Sequence, residues 1–553
     1  MSEQNKNEES PLTNEEWRNL LTETFRNLHL PYNPTLTGPL GIQLDFCRGA
    51  RIHIPPTAGG KFHLLLTDLD NDVVMYNGIL DAGDYFVSKK RYFIHYGIQI
   101  TEYPSGKKIL QHRFNAEGRP VLIKFPVETL GDTIAWFRAA EKFRVKHNCE
   151  LYVRIAEYLR PLFEGNGIRS GIHFVTDEEI SQLSPYAVYT VAIFHNDTDM
   201  DETPTDYRTV PLHHYADYIL GTEPDDDPPE LAMDDKYETP SEPYVCIASQ
   251  ASGGVKLWHN PTGWDRVVMF LKEHGYRVID IDRDYLSGKD IMWNRIPREA
   301  ENMTGNISLT QRAKFIYNAD FFIGLGSGLS WLAWCMGTPT VLIGGFSETW
   351  EEFPTPYRVI NRNVCHGCFN DVRYVFDHKD YMWCPKHKGT PRHWECSRGI
   401  TATPVIEAIK RIPAFQEHES KRNEQTKRTN EGELNMAFFE YCKKCGEMFS
   451  DESKWHEHLK QHDAAKKKQN DKIHVPFEEA EQKVLLETAK NVPGADPAEV
   501  EDARVARTKD LRSIKKELKK AGIECQTMNA DEAKAAYEKA KKEGKISDAA
   551  RAN

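Results

Sequence analysis

The chain has 553 residues, with 71 Lys and Arg against 83 Asp and Glu for a formal net charge of −12. At about 100–200 residues per domain this length implies three or more units, and the acidic balance argues against a body built to coat nucleic acid. Hydrophobic residues make up 40%, enough for packed cores, yet no stretch reaches the roughly 18 consecutive apolar residues of a membrane span.

The N-terminus lacks the apolar core of a secretory signal, so a cytoplasmic location is expected. Thr13-Asn-Glu-Glu16 forms a capping box ahead of Trp17, Leu20, Leu21 and Phe25, which predicts a first helix. From Gly41 to Tyr103 the texture changes to short β-type runs: 50–54, 62–66, 72–76 and 91–96. Gly, Asn and Asp separate them, as in a small antiparallel barrel or sandwich. Residues 1–116 are assigned to this helix and β domain.

Val121–Phe125 opens a different pattern. A buried strand there precedes a loop and a helix from Asp132 to about His147, and further strands follow at 150–155 and 187–193. Alternating strand and helix signals a parallel, doubly wound sheet, over residues 117–240. An acidic, proline-rich stretch from Gly221 to Pro243 predicts an interdomain linker. A second βα series, residues 241–415, has strands at 244–248, 276–282, 321–324 and 340–343. The fold class expected is α/β, with two Rossmann-like domains and a crevice between them. Glycosyltransferases, epimerases and periplasmic-type binding proteins share such a texture, so the fold alone does not choose.

Four groups of residues could carry chemistry. Asp132 follows a strand at the carboxyl end of a parallel sheet, where ligands bind. Its carboxylate could accept a proton from an attacking hydroxyl or cap the helix. Lys256 ends a Gly-rich turn after the strand at 244, which suits a diphosphate as well as a plain surface lysine. Gly326, Ser327, Gly328 and Leu329 lie where a strand passes into a helix whose N-terminus favours an anion. Asp280 and Asp282 could hold a ribose hydroxyl or stand solvated.

The cysteines speak more strongly. Cys365, Cys368, Cys384 and Cys396 follow the order C-x2-C-x15-C-x11-C, a complete set of four thiolates for structural iron or zinc. His366, His387 and His393 stand nearby as substitutes. Just ahead lies Pro339–Ser347 with Glu351, Glu352 and Phe353 behind it, a run with the look of a sugar-nucleotide enzyme. Cys442, Cys445, His458 and His462 have the spacing of a C2H2 zinc finger. Its base-reading positions fall on Asp451, Lys454 and Glu457; two acidic groups there favour docking to protein over DNA. The finger spans 436–465, and a charged helical tail, 470–553, carries an apolar stripe at Val505, Leu511, Ile514 and Leu518, stopped at Gly522.

With these residues in place, Gly41 to Pro413 closely resembles the bacterial autotransporter heptosyltransferase family. The carrying stretches are Ala50–Phe62, Thr129–Trp136 with its Leu130-Gly131-Asp132 motif, Ala248–Gly254, Gly324–Gly328 and Gly344–Ser347, completed by the four cysteines. The resemblance implies a GT-B-type enzyme with an N-terminal β domain, transferring heptose from ADP-heptose to serine hydroxyls of autotransporter adhesins. It further implies iron on the four cysteines, a homo-oligomer, and Asp132 as general base. The zinc finger and tail are additions to the family pattern and bear on the acceptor. Two rivals remain: transfer to a nucleic-acid acceptor, and an assembly protein of the same fold without turnover.

Overall fold

The computed structural model describes residues 30–165, 171–193, 200–232, 242–289 and 292–429, with 440–441, 448–449, 453–460 and 539. The predicted first helix, the tail stripe and three of the finger's four ligands, Cys442, Cys445 and His462, lie outside these residues. The chain divides into two compact units, residues 1–434 and 435–553.

In the first unit, short strands β1 (Leu36–Thr37), β2 (Gln43–Cys47) and β3 (Arg51–His53) precede β4 (Lys61–Asp68), β5 (Val73–Asp81), β6 (Tyr85–Val87), β7 (Tyr96–Tyr103) and β8 (Lys108–Arg113). Strand β9 (Pro120–Lys124) leads into helix α1 (Leu130–His147), followed by β10 (Glu150–Arg154), β11 (Ile172–Phe174), β12 (Ala187–Thr190) and α2 (Leu212–Leu220). Strands β4, β5, β7 and β8 form a separate antiparallel sheet in the order β5-β4-β7-β8. The other early strands do something that periodicity does not reveal. Strand β2 pairs parallel with β12, and β3 and β6 continue the same sheet antiparallel, in the order β11-β10-β9-β12-β2-β3-β6. The N-terminal segment is thus woven into the first Rossmann-like sheet. A buried pair locks it: Arg51 donates to both Asp45 oxygens at 2.7 and 2.6 Å, and both side chains are fully buried.

The second half holds β13 (Tyr244–Ile247), α3 (Gly263–Glu273), β14 (Arg277–Asp280), a hairpin of β15 (Leu286–Lys289) and β16 (Met292–Arg295), β17 (Glu301–Asn302), α4 (Leu309–Tyr317), β18 (Phe321–Leu325), α5 (Gly328–Cys335), β19 (Thr340–Ile343), β20 (Arg358–Val359) and α6 (Ala402–Lys410). Six strands pair in parallel as β17-β14-β13-β18-β19-β20. Their central runs, such as Tyr244–Ile247 and Thr340–Ile343, are buried at every position, as expected of a sheet covered on both faces.

The acidic linker is no free tether over its described part. Asp225 pairs with Lys142 at 3.3 Å, Asp227 with Arg138 at 3.8 Å, and Asp226 with His213 and His214 at 2.8 and 3.0 Å. The cations that hold it sit on α1, far away in sequence, and the histidines on α2, only 13 and 12 residues before Asp226. Among the described residues no helix is long and apolar enough to cross a membrane. In the second unit, Glu440–Tyr441 pairs antiparallel with Met448–Phe449, and a helix covers 453–460.

Candidate active site

Helix α1 starts where β9 ends, so its N-terminus stands at the carboxyl edge of the first parallel sheet. Thr129 holds the N-cap position and Asp132 lies in the first turn; Asp132 is therefore not the cap. The Thr129 hydroxyl donates to Asp132 Oδ2 instead of accepting from the backbone. Burial pushes the Asp132 carboxyl above its ordinary value, opposed by that hydrogen bond and by the Lys256 ammonium. A helix start alone would hold the group ionised, and here burial outweighs it.

Lys256 belongs to the other half, at the end of a single 3-10 turn, Gly254–Lys256, after β13. Its Nζ stands 5.8 Å over the Phe346 ring, and its charge reaches Asp132 and Glu351. The two halves thus bring a carboxyl and an ammonium to one crevice.

The glycine loop closes the third side. Ser327 occupies the N-cap of α5 without a side-chain cap bond, which leaves the first helical amides for another partner. Gly328 is where the halves touch: a Cβ there would stand 2.8 Å from Leu130 Cβ and 3.2 Å from the Gly131 nitrogen. A Cβ at Gly326 would meet Glu352 Oε1 at 2.6 Å. These glycines admit close protein neighbours, with their amides at a helix N-terminus. Asp280 and Asp282 face inward. Ser249 Oγ donates to Asp280 at 2.9 Å, and the Ser249 and Gln250 amides donate to Asp282 at 2.6 and 2.9 Å. They brace the strand end from beneath.

The sequence reading passed over Glu351 except as a neighbour of the sugar-nucleotide run. Its side chain is buried, with Oε2 accepting from Asn370 Nδ2 at 2.6 Å. Glu352 beside it is paired with Arg358 and accepts from Ser347, both at 2.6 Å.

All four cysteines of the array are free thiols, three of them buried. Burial, then repulsion from the other three sulfurs, pushes Cys396 up to about 12; burial and the Glu395 contact do the same for Cys365. Four sulfurs within electrostatic reach of one another suit a cation that thiolates would hold. Of the nearby histidines, His366 and His393 each bond a backbone carbonyl, at 2.9 and 3.1 Å. His387 lies with Cys365 and Glu395, their ligand atoms within 4.8 Å of one another. The array grips the Lys256 turn. Gly254 N–H donates to Tyr381 at 3.1 Å, a Cβ on Gly254 would stand 2.7 Å from the Trp394 ring, and His259 stacks on Trp394 at 4.1 Å.

Two Rossmann-like halves closing on such a crevice define a GT-B-type glycosyltransferase. Residues 38–103 match the N-terminal domain of glycosyltransferase TibC, and residues 212–375 match glycosyltransferase family 9 (heptosyltransferase). The autotransporter heptosyltransferase Aah of Escherichia coli is 42% identical over 385 residues, covering 70% of this chain and 96% of that protein. The inactive autotransporter heptosyltransferase BimC of Burkholderia thailandensis is 34% identical over 385 residues, 69% of this chain and 88% of that protein. The crystal structure of dodecameric iron-containing heptosyltransferase TibC, itself an Escherichia coli protein, in complex with ADP-D-beta-D-heptose superimposes with a TM-score of 0.66 at 39% identity. It covers 70% of this chain and 99% of that one. The chain belongs to the autotransporter heptosyltransferase family.

Proposed function

We propose that this protein transfers heptose from ADP-heptose to serine hydroxyls of an autotransporter-type protein acceptor in the cytoplasm, with inversion at the anomeric carbon. The observation that carries the reading is the meeting of Asp132, Lys256 and the Gly326–Leu329 helix start at one crevice between the halves. Asp132, ionised, takes the proton of the serine hydroxyl as its oxygen attacks the anomeric carbon. The bond from that carbon to the diphosphate breaks on the opposite side. Lys256 and the amides of Gly326, Ser327, Gly328 and Leu329 bind the leaving diphosphate and spread its charge.

Cys365, Cys368, Cys384 and Cys396 would hold iron, which supplies a structural cross-link where all coordination is by the chain. Cys442, Cys445, His458 and His462 would hold zinc; the paired strands at 440–441 and 448–449 and the helix at 453–460 support a finger. Its acidic reading face supports a protein partner, and the dodecameric relative supports a homo-oligomer. An inactive member of the family keeps the assembly-protein alternative alive as a second reading, against which the Asp132 and Lys256 pairing in this chain stands.

Intact-mass analysis of an autotransporter passenger fragment incubated with the protein and ADP-heptose tests the reading. Heptose-sized additions are expected, falling by about 100-fold or more in rate with Asp132→Asn. No addition by the wild-type chain would favour the assembly reading.

A further inference from the structure

The transfer reading above gives Asp132 and Lys256 a role each but assigns no residue to the sugar itself. In an in-line displacement the attacking oxygen lies by the base and the leaving diphosphate by the cation, so the sugar ring must lie between them. Glu351 is a buried polar group within electrostatic reach of both. It follows β19 in the second half, its charge environment includes Lys256 and Asp132, and its side chain is 3% exposed.

Its surroundings hold it in place without exhausting it. The Glu351 carbonyl accepts the Leu212 N–H at 2.9 Å, which ties its backbone to α2 of the first half. Asn370 Nδ2 takes one position on Oε2, while Asn370 Oδ1 accepts from the Glu348 amide at 2.8 Å. A carboxyl group offers about four acceptor positions, so further ones are left for a ligand. Neighbouring Glu352 is more fully engaged, since Arg358 and Ser347 each take one of its oxygens.

We propose that Glu351 recognises the donor sugar, hydrogen-bonding a hydroxyl of the heptose ring, and so determines specificity for the sugar. Burial and the Glu352 charge raise the Glu351 carboxyl well above its ordinary value, and a protonated carboxyl both donates and accepts toward a hydroxyl. A site built to hydrogen-bond a substrate hydroxyl rejects ligands that lack it, because its buried polar group is then left unpaired.

The test measures dissociation constants of ADP and of ADP-heptose for the full chain and for Glu351→Met and Glu351→Gln, with melting temperature as the folding control. Glu351→Met is expected to weaken ADP-heptose about tenfold, the loss of one good hydrogen bond, and to leave ADP within about twofold. Glu351→Gln, which keeps a donor and an acceptor, is expected to recover ADP-heptose binding. Equal weakening of both nucleotides by Glu351→Met, or no change in either, overturns the proposal. So does a Glu351→Gln variant no better than Glu351→Met. A wild-type chain that binds ADP-heptose no more tightly than ADP overturns the donor reading on which this proposal rests.

Discussion

At the scale of single residues, the site is governed by carboxyls that burial makes reluctant to ionise. As the proposed base, Asp132 would work only when ionised, and its value is raised by burial and lowered by the Thr129 hydrogen bond and Lys256. The acid limb of kcat/KM, which reports the free enzyme, should therefore lie above the ordinary carboxylate range. Lys256→Met removes a cation that lowers the value, so the limb should move to higher pH. A limb that stays in place would mean that Asp132 is not the base or that Lys256 does not face it. Asp280 and Asp282 make the corresponding argument for stability. Burial and the charge of Asp282 raise Asp280 well above its ordinary value, and burial raises Asp282 to about 6. Both folded values exceed the unfolded value of about 3.9, so the folded state binds these protons more tightly. Their stabilising contribution is complete below that pH and is lost as pH rises to about 6 and beyond. Asp280→Asn should shrink the fall in Tm between acid and alkaline buffer, measured by calorimetry; an unchanged slope would place the titration elsewhere.

At the scale of elements, the active crevice depends on how closely the α1 and α5 N-termini approach. Gly328 sets that distance, because a Cβ would collide with Leu130 Cβ and with the Gly131 backbone at 2.8 and 3.2 Å. Backbone cannot rotate away as a long side chain can, so the halves themselves must part. Gly328→Ala should cost about 1–3 kcal/mol of stability, the usual range for overpacking, and lower kcat by more than that loss explains. Denaturant titration alongside steady-state kinetics checks both; full activity would show that the crevice tolerates a wider gap. Much of this was legible in the sequence. A strand, a short loop and Leu130-Gly131-Asp132 at a helix start are local signals, as are the βα alternation and the four-cysteine spacing. The weaving of β2 into the first sheet was not, since β2 pairs with β12 roughly 140 residues later and a run of alternating residues does not announce its partner. The acidic stretch read as a linker for a similar reason: Lys142 and Arg138, which pair with it, belong to a distant helix. Glu351 escaped notice because partners are what distinguish it from Glu352, Asn370 for the one and Arg358 with Ser347 for the other, and partners are a property of the assembled fold.

At the scale of the whole molecule, the cysteine array lies where the proposed iron would staple it to the Lys256 turn. Its loop touches the Lys256 turn through Tyr381, Trp394 and the His259 ring. It is also tied to strand ends and helices behind the turn, since Trp258 Nε1 donates to Ile400 at 2.8 Å and the His259 amide to Ser397 Oγ at 2.9 Å. Asn370, two positions past Cys368, reaches Glu351. None of these contacts involves α1, whose aromatic side chains meet their own half, Trp136 on Tyr215, Phe137 on Phe163 and Phe143 on Tyr189. Metal binding by a thiolate set contributes folding free energy to the segment it closes, so loss of a ligand should loosen one side of the crevice and spare the other. Cys384→Ser is expected to lower iron content, weaken ADP binding and speed amide exchange over residues 254–259 and 365–396. Exchange in Leu130–His147 should stay as slow as in the parent chain. Uniformly faster exchange in both halves would mean that the array supports the fold as a whole, and unchanged ADP binding would mean that the Lys256 turn holds its shape without it.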